Sequence, residues 1–250
     1  MSVLAVKGLS KAFGGVRAVA GVSFAVAAGE LLAMIGPNGA GKTTCFNMVN
    51  GQLAPDSGSI ELDGKSLIGK APRNICRAGV GRTFQVTATF GSMTVCENVQ
   101  LALLSHARML DALLSSMKTN FLNETHELLE QVGMREQAER QCALLAYGDL
   151  KRVELAVALA SRPRLLLMDE PTAGMAPAER GALMKLAAGL ARDEKIAVLF
   201  TEHDMDVVFG HADRVIVLSG GELIADGGPA EVRANVEVRR VYLGEQAGDA

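Results

Sequence analysis

Short, mainly apolar runs recur along the chain, each bounded by glycine, charge or turn residues. Runs of about four to eight such residues are typical of strands that are buried on both faces of a sheet. Helix-forming stretches lie between several of them, which favours an α/β fold around a mostly parallel sheet. The runs that predict these strands are Glu30–Ile35, Arg164–Met168, Lys195–Thr201 and Arg214–Leu218.

The N-terminal part of the chain is rich in strand and turn signals. Val3–Val6 and Val22–Val26 predict short strands, and Ser59–Leu62 followed by Asp63-Gly64 predicts a hairpin. We expect these strands to form an N-terminal antiparallel β subdomain. Between them, Lys42–Val49 predicts a helix that directly follows the first buried run.

The pattern changes to helical spacing in the middle of the chain. Leucines and valines within Phe121–Val132 recur at helical intervals, and Gly133 is expected to end this helix. We therefore predict one domain over residues 1–250. Residues 1–86 and 161–235 form its catalytic α/β core, residues 87–160 form an inserted α-helical subdomain, and residues 236–250 form a C-terminal tail. Ala178–Leu190 predicts a further helix of the core.

Composition narrows the possible functions. The formal net charge is −3, with 25 Lys and Arg against 28 Asp and Glu. The chain therefore lacks the excess of basic residues that is typical of nucleic-acid-binding proteins. No run approaches the ~20 apolar residues that span a bilayer. The N-terminus lacks an apolar stretch of signal-peptide length. Four scattered cysteines, predicted to be buried, are typical of a reducing compartment such as the cytosol.

The segment after Glu30–Ile35 is G-P-N-G-A-G-K-T-T, which fits the phosphate-binding P-loop pattern with a strand before it and a helix after it. Such a loop points backbone N–H groups at phosphate oxygens, and the helix dipole favours the same anion. Lys42 is predicted to neutralise the β- and γ-phosphates of ATP, and Thr43 to ligate Mg²⁺. The predicted nucleotide contacts are Gly36, Pro37, Asn38, Gly39, Ala40, Gly41, Lys42, Thr43 and Thr44.

A second acidic motif ends the run Arg164–Met168. Asp169 and Glu170 follow it directly, and in a P-loop protein this is the Walker-B position. Asp169 is predicted to support Mg²⁺, and Glu170 to orient or polarise the attacking water. Carboxylates at the end of a parallel strand lie at the ligand-binding edge of the sheet.

Taken together, these motifs resemble the nucleotide-binding domains of ATP-binding cassette (ABC) proteins, and the resemblance covers essentially the whole chain. It implies that Phe13 stacks on adenine, as an aromatic side chain can. It implies that Gln85 is the Q-loop glutamine, which reaches Mg²⁺ and the water, and that His203 contacts the γ-phosphate. The expected catalytic residues are therefore Glu170, His203, Lys42 and Gln85, and the expected metal ligands are Thr43, Gln85 and Asp169.

Two further segments resemble family motifs but depart from them. The signature motif, L-S-G-G-Q in the family, is L-A-Y-G-D here, and it is expected to precede a helix over Leu150–Ala160. In the segment that resembles the D-loop, Ala176 replaces the usual Asp, which puts coupling between the two ATP sites in question. The resemblance implies that the signature binds the ATP held by the other subunit of a dimer. Its residues are Leu145, Ala146, Tyr147, Gly148 and Asp149.

Several short segments resemble those of one branch of the family, the ATPases of branched-chain amino acid importers. These segments include G-R-T-F-Q at 81–85 and T-E-H-D-M at 201–205. This resemblance implies integral-membrane permease partners, an extracytoplasmic binding protein reached indirectly, and a homodimer or a heterodimer with a sister ATPase. It places the chain at the cytoplasmic face of the cell membrane as a peripheral subunit. The alternatives are amide or urea import, lipopolysaccharide export, a non-transport ABC ATPase, another P-loop enzyme such as a kinase, and a module that binds ATP without hydrolysing it.

Overall fold

The computed structural model describes residues 2–83, 89–107 and 121–243, and these ranges contain ten strands and nine α-helices. The strands are β1 (Ser2–Phe13), β2 (Val16–Ala27), β3 (Leu31–Ile35), β4 (Ser57–Leu62), β5 (Lys65–Ser66), β6 (Val80–Thr83), β7 (Leu165–Asp169), β8 (Ala197–Thr201), β9 (Arg214–Ser219) and β10 (Glu222–Gly227). The helices are α1 (Lys42–Val49), α2 (Pro72–Arg77), α3 (Val95–Ala107), α4 (Leu122–Gln131), α5 (Tyr147–Leu159), α6 (Pro177–Glu194), α7 (Met205–His211), α8 (Pro229–Ala234) and α9 (Val236–Leu243).

A six-stranded sheet in the order β10-β9-β3-β8-β7-β6 lies at the centre of the fold. Strands β9, β3, β8, β7 and β6 are parallel, and β10 pairs with β9 in the antiparallel direction at one edge. Every residue of β3, β7 and β8 is buried. The reason is that both faces of a parallel sheet are covered by other layers, so an uninterrupted apolar run is the expected sequence for these strands.

The two faces of the sheet pack into two different cores. In β3, Leu31, Ala33 and Ile35 belong to a cluster with residues of α3, α4, α5 and α6, whereas Leu32 and Met34 belong to a cluster with α1 and the N-terminal strands. This division follows from the alternation of side chains along a strand. The sheet therefore lies between a helical layer and a mixed layer.

The N-terminal layer is a four-stranded sheet in the order β2-β1-β4-β5, whose pairings are all antiparallel. The predicted hairpin at Asp63-Gly64 joins β4 to β5. The predicted short strands Val3–Val6 and Val22–Val26 are parts of β1 and β2, which have twelve residues each. The predictions were too short because one face of this sheet is exposed, so polar residues interrupt the apolar runs.

The predicted α/β fold with its antiparallel N-terminal sheet is confirmed, and the helices α3, α4 and α5 fall between residues 95 and 159. The exact division of residues 1–250 into core, helical subdomain and tail stays a prediction. Strand β6 escaped the sequence analysis because Gly81 and Arg82 hide its pattern, and only its parallel pairing with β7 defines it. The cysteine prediction is wrong at one position, since Cys76 is exposed. Among the described helices, none combines the length and apolar character needed to cross a bilayer.

Candidate functional site

Three neighbouring strands bring the predicted site residues to one edge of the central sheet. The P-loop follows β3, Asp169 ends β7, and His203 lies two residues after β8. Strand β8 pairs with both others, and its last residue, Thr201, is in register with Met34 of β3 and Asp169 of β7. The carboxyl ends of adjacent parallel strands meet at one edge, which is where open α/β sheets bind ligands.

The P-loop has a backbone path that only glycine fits at two of its positions. Gly41 has φ of 102°, and a Cβ there would collide with the carbonyl oxygen of Ala18 in β2. A Cβ at Gly36 would collide with the carbonyl oxygen of Leu218 in β9. The loop is therefore packed closely between β2 and β9. Backbone groups line the space inside it, and side chains larger than hydrogen at these two positions would fill that space.

Lys42 is buried and lies inside the curl of the loop. Its Nζ donates hydrogen bonds to the carbonyl oxygens of Gly36 at 2.6 Å and Pro37 at 3.2 Å. Burial lowers the pKa of Lys42, and the nearby carboxylates of Glu170 and Asp169 partly oppose that shift. A cation held in this position can neutralise an anion that enters the loop.

The first turn of α1 offers its N–H groups to the same space. The residue before the helix is Gly41, which has no side chain to cap these donors, and no acidic residue lies in the first turn. An uncapped helix N-terminus combines free N–H groups with a positive dipole end, so it favours an anion. It opens into a pocket of about 300 Å³ lined by Phe13, Ala18, Asn38, Gly39, Ala40, Gly41, Lys42, Thr43, Thr44, Glu170 and His203.

Glu170 and His203 form the opposite wall of this pocket. Their side chains meet, with Oε1 of Glu170 at 3.0 Å from Nε2 of His203. Glu170 has φ of 47°, and its N–H lies 3.1 Å from both the carbonyl and the hydroxyl oxygen of Thr201. A non-glycine residue in the left-handed region is uncommon and costs roughly 1–3 kcal/mol. The link to Thr201 therefore directs this carboxylate into the pocket.

Asp169 lies behind the pocket wall and is held on both oxygens. Its Oδ1 accepts a hydrogen bond from the Thr201 hydroxyl at 2.8 Å, and its Oδ2 pairs with Arg82 at 3.2 Å. Arg82 also donates to Asn47 and Gln52 at the end of α1 and just beyond it. From the sequence, Arg82 was noted only as part of G-R-T-F-Q, and its pairing with Asp169 was not predicted. An arginine in the strand beside the acidic strand was the available signal, but β6 itself had not been predicted.

Phe13 occupies the outer rim of the pocket. It is the last residue of β1, its side chain is about half exposed at 49%, and Nζ of Lys11 lies 5.7 Å from the ring centroid. An exposed aromatic face beside a phosphate cradle provides a surface on which a base can stack. The structure thus brings Phe13, the P-loop, Glu170 and His203 into one pocket.

The signature residues are not among the residues that line this pocket. The helix predicted over Leu150–Ala160 begins three residues earlier, at Tyr147, so that Tyr147, Gly148 and Asp149 form the first turn of α5. The prediction was wrong because glycine and aspartate are typical of turns, whereas an acidic residue is also favoured in the first turn of a helix. Ala146 takes the N-cap position without a side-chain cap. Gln85 lies outside the described residues.

The described residues fit a bound nucleotide better than an all-protein metal site. The P-loop backbone, the uncapped α1 and Lys42 are anion-binding features, and Phe13 suits a base. No group of three or more His, Cys, Asp or Glu side chains with metal-binding geometry occurs in the described ranges. Mg²⁺ bound beside a nucleotide usually takes few protein ligands together with phosphate and water oxygens. Of the three predicted ligands, the structure describes Thr43 and Asp169, and Gln85 lies outside the described residues.

The sequence pattern of the ABC transporter family matches residues 19–173, from β2 through the acidic motif to Ala173. This chain belongs to the ABC transporter family. It is an ATP-hydrolysing subunit of that family. A second pattern, that of the branched-chain amino acid ATP-binding cassette transporters, matches residues 222–248.

The ABC relatives resemble this chain along its whole length. The high-affinity branched-chain amino acid transport ATP-binding protein LivG of Salmonella typhimurium is 40% identical over 252 residues, which cover 97% of this chain and 98% of LivG. BraF of Pseudomonas aeruginosa, of the same description, is also 40% identical, over 260 residues with the same coverage. Among solved structures, the ADP conformation of MJ1267, an ATP-binding cassette of an ABC transporter, is 30% identical with a TM-score of 0.87, and it covers 98% of this chain and 100% of MJ1267.

Proposed function

We propose that this chain hydrolyses ATP to power an importer of branched-chain amino acids. The observation that supports the reaction is the 3.0 Å contact between Glu170 and His203, which face the P-loop across one pocket. The support for the substrate class is the likeness to LivG and BraF, both described as branched-chain amino acid transport proteins. This chain does not need to contact the amino acid, so the specificity for the transported substrate belongs to its membrane partners.

The P-loop side of the pocket binds and orients the triphosphate. Backbone N–H groups of the loop and the first turn of α1 contact the phosphates, and Lys42 exchanges its bonds to Gly36 and Pro37 for phosphate oxygens. Thr43 and Asp169, with Gln85, would hold Mg²⁺, which would neutralise negative charge on the phosphates. Phe13 stacks on the base and thereby sets the direction from which the triphosphate enters.

The opposite wall prepares the water for attack. Glu170 accepts a hydrogen bond from that water and orients it in line with the γ-phosphate. His203, in contact with Glu170 through Nε2, holds the carboxylate in place and lies beside the γ-phosphate. Positioning and charge stabilisation then account for most of the acceleration, as in other P-loop enzymes.

The signature turn acts on a second copy or on a sister ATPase. Leu145, Ala146, Tyr147, Gly148 and Asp149 lie away from the pocket of their own chain. We propose that two chains close head to tail, so that each α5 N-terminus faces the ATP of the partner. Permease subunits at the cytoplasmic face of the membrane receive the motion, and an extracytoplasmic binding protein delivers the substrate to them.

The test is Mg²⁺-dependent ATP hydrolysis by the purified chain, beside the Glu170→Gln and Lys42→Ala variants. We expect Glu170→Gln to bind ATP normally and to lose at least about 10²-fold in turnover, because only the general base is removed. Lys42→Ala should weaken binding itself. Undiminished turnover in Glu170→Gln would remove Glu170 from the mechanism. A wild-type chain that binds ATP without hydrolysing it, even with its membrane partners, would instead indicate a binding module.

A further inference from the structure

Residues 172–176, called the loop 172–176 below, form the later part of the connection between β7 and α6. The first of them is anchored to the segment that carries His203. The N–H and the hydroxyl of Thr172 both donate to Oε1 of Glu202, at 2.8 and 2.6 Å. Both residues are buried, at 2% and 4% exposure. A charged acceptor with two donors in a buried site is a strong connection, because neither partner can exchange with water.

A second connection runs through Arg180 in the first turns of α6. Its Nε donates to the carbonyl oxygen of Met175 at 2.9 Å, and its Nη1 donates to Oδ2 of Asp204 at 2.6 Å. One guanidinium therefore ties the end of the loop 172–176 to the residue after His203. The planar fork of arginine makes two such bonds at once, whereas lysine has a single ammonium.

Asp204 is itself a structural anchor for the residues around it. Its Oδ1 accepts hydrogen bonds from the N–H groups of Asp206 and Val207 and thereby caps α7. Burial raises the pKa of Asp204, but the bonds from Arg180 and from the two α7 amides outweigh that effect and lower the pKa. The carboxylate is thus charged at neutral pH and keeps its partners.

His203 lies between Glu202 and Asp204, and both neighbours are bonded to residues of the loop or of α6. The imidazole is about half exposed and contacts Glu170 at 3.0 Å. With so little packing of its own, its position depends on the backbone that carries it. The position of His203 against Glu170 therefore depends on the bonds that hold Glu202 and Asp204.

The same loop and helix contact the signature turn on their other side. Gly174 has φ of 78°, and a Cβ there would be 3.4 Å from the ring of Tyr147. The carboxyl group of Glu179 would be 3.0 Å from a Cβ at Gly148. Residues that serve the chain's own ATP and residues that serve the partner's ATP therefore meet across this loop.

We propose that Arg180 is a positioning residue for ATP hydrolysis, which holds His203 against Glu170 through Asp204. Its bond to Met175 links that site to the neighbouring Gly174, which lies beside Tyr147 of the signature turn. The inference rests on the proposed function of this pocket. Arg180 lies in α6, just after the loop in which Ala176 replaces the family's usual aspartate. Among the described residues, Arg180 does not line the nucleotide pocket, and its hydrogen bonds go to Met175 and Asp204, so it acts through others.

The test compares Arg180→Ala, Arg180→Lys and Asp204→Asn in the full-length chain under steady-state ATP hydrolysis. We expect Arg180→Ala to lower kcat about tenfold with little change in KM, because the groups that bind ATP are untouched. The two ATP sites of the proposed dimer predict a Hill coefficient above 1 for the wild type, and in Arg180→Ala this coefficient should fall toward 1, since the link to the signature is lost. Arg180→Lys should restore part of kcat, and the double variant with Asp204→Asn should be no worse than Arg180→Ala.

The matched control is Arg164→Ala, which removes an exposed ion pair with Asp63 at the other end of β7. It should leave kcat, KM and the Hill coefficient unchanged. If Arg180→Ala has the same kcat and Hill coefficient as the wild type, the inference is overturned. Hydrolysis of ATP by the wild type would still support the proposed function. Equal losses in Arg180→Ala and Arg164→Ala would also overturn it. If Arg180→Ala fails to fold, additive losses in Arg180→Lys and Asp204→Asn would count against the link.

Discussion

At the scale of single residues, Lys42 shows how the site is built at the expense of stability. Its ammonium is buried among loop carbonyls, and burial lowers its pKa below the ordinary value of 10.5. The folded state therefore binds this proton less tightly than the unfolded chain does. A charged group whose protonated form is disfavoured by folding weakens the fold at neutral pH, and the cost disappears once the group is neutral in both states.

This predicts a pH dependence that can be measured without nucleotide. Between the lowered pKa of folded Lys42 and 10.5, the unfolded chain carries more of this proton, so stability rises with pH. The free energy of unfolding of wild type should thus increase relative to Lys42→Met as the pH is raised through that window. Denaturant unfolding of both proteins at several pH values measures the difference, in which all other titrating groups cancel. A constant difference would show that Lys42 is not perturbed.

At the scale of elements, the first turn of α5 decides what the signature can do. Ala146 holds the N-cap position with φ −64° and ψ 154°, the conformation that a capping serine uses, yet it has no hydroxyl. Asp149 lies in the first turn of α5, where its negative charge interacts favourably with the helix dipole. The same charge is unfavourable beside ATP. The two departures from the family motif, Ala146 and Asp149, therefore change the stability of α5 as well as the contacts of the motif with ATP.

Ala146→Ser should stabilise the chain by about 1 kcal/mol through capping of α5. It should also lower KM for ATP by about threefold, because a new hydroxyl donor faces the partner's nucleotide. Thermal unfolding and steady-state kinetics measure the two effects. Ala71→Ser is the control, since Ala71 caps α2 with nearly the same backbone angles, φ −65° and ψ 148°. It should stabilise without changing KM, and equal KM values in all three proteins would exclude a signature role for residue 146.

At the scale of the whole molecule, the P-loop pocket and the signature turn lie apart on one chain. Phe13, the P-loop, Glu170 and His203 line the pocket, and Leu145, Ala146, Tyr147, Gly148 and Asp149 are not among its lining residues. A helix N-terminus with no side-chain cap, exposed at Tyr147, is suited to an anion supplied by a second chain. On the proposed function, we therefore expect dimerisation that depends on ATP.

Glu170→Gln should form a dimer of twice the 26.3 kDa chain mass when ATP is added, because bound ATP is no longer consumed. Light scattering coupled to gel filtration measures the mass. Adding Lys42→Ala to this variant should keep it monomeric, since the nucleotide is lost. A dimer that forms equally without ATP would contradict the head-to-tail arrangement.

Much of this site follows from local sequence because its parts are local. A P-loop is one continuous segment between a strand and a helix, and Asp169 and Glu170 end one apolar run, so residue type and spacing were enough to predict them. The boundaries of the helix Lys42–Val49 were predicted for the same reason. The assignments of Phe13 and His203 depended instead on family resemblance, since an isolated aromatic or histidine carries no local signal.

The chain's sequence by itself determined the fold class, the phosphate cradle and the acidic strand end, because periodicity and glycine chemistry act over a few neighbouring residues. Only the tertiary structure decided that Arg82 pairs with Asp169, that Glu170 meets His203, and that Arg180 joins the loop 172–176 to Asp204. These contacts span 87, 33 and 24 residues. They exist because parallel pairing of β6, β7 and β8 aligns the strand ends, and no local pattern encodes which strands become neighbours.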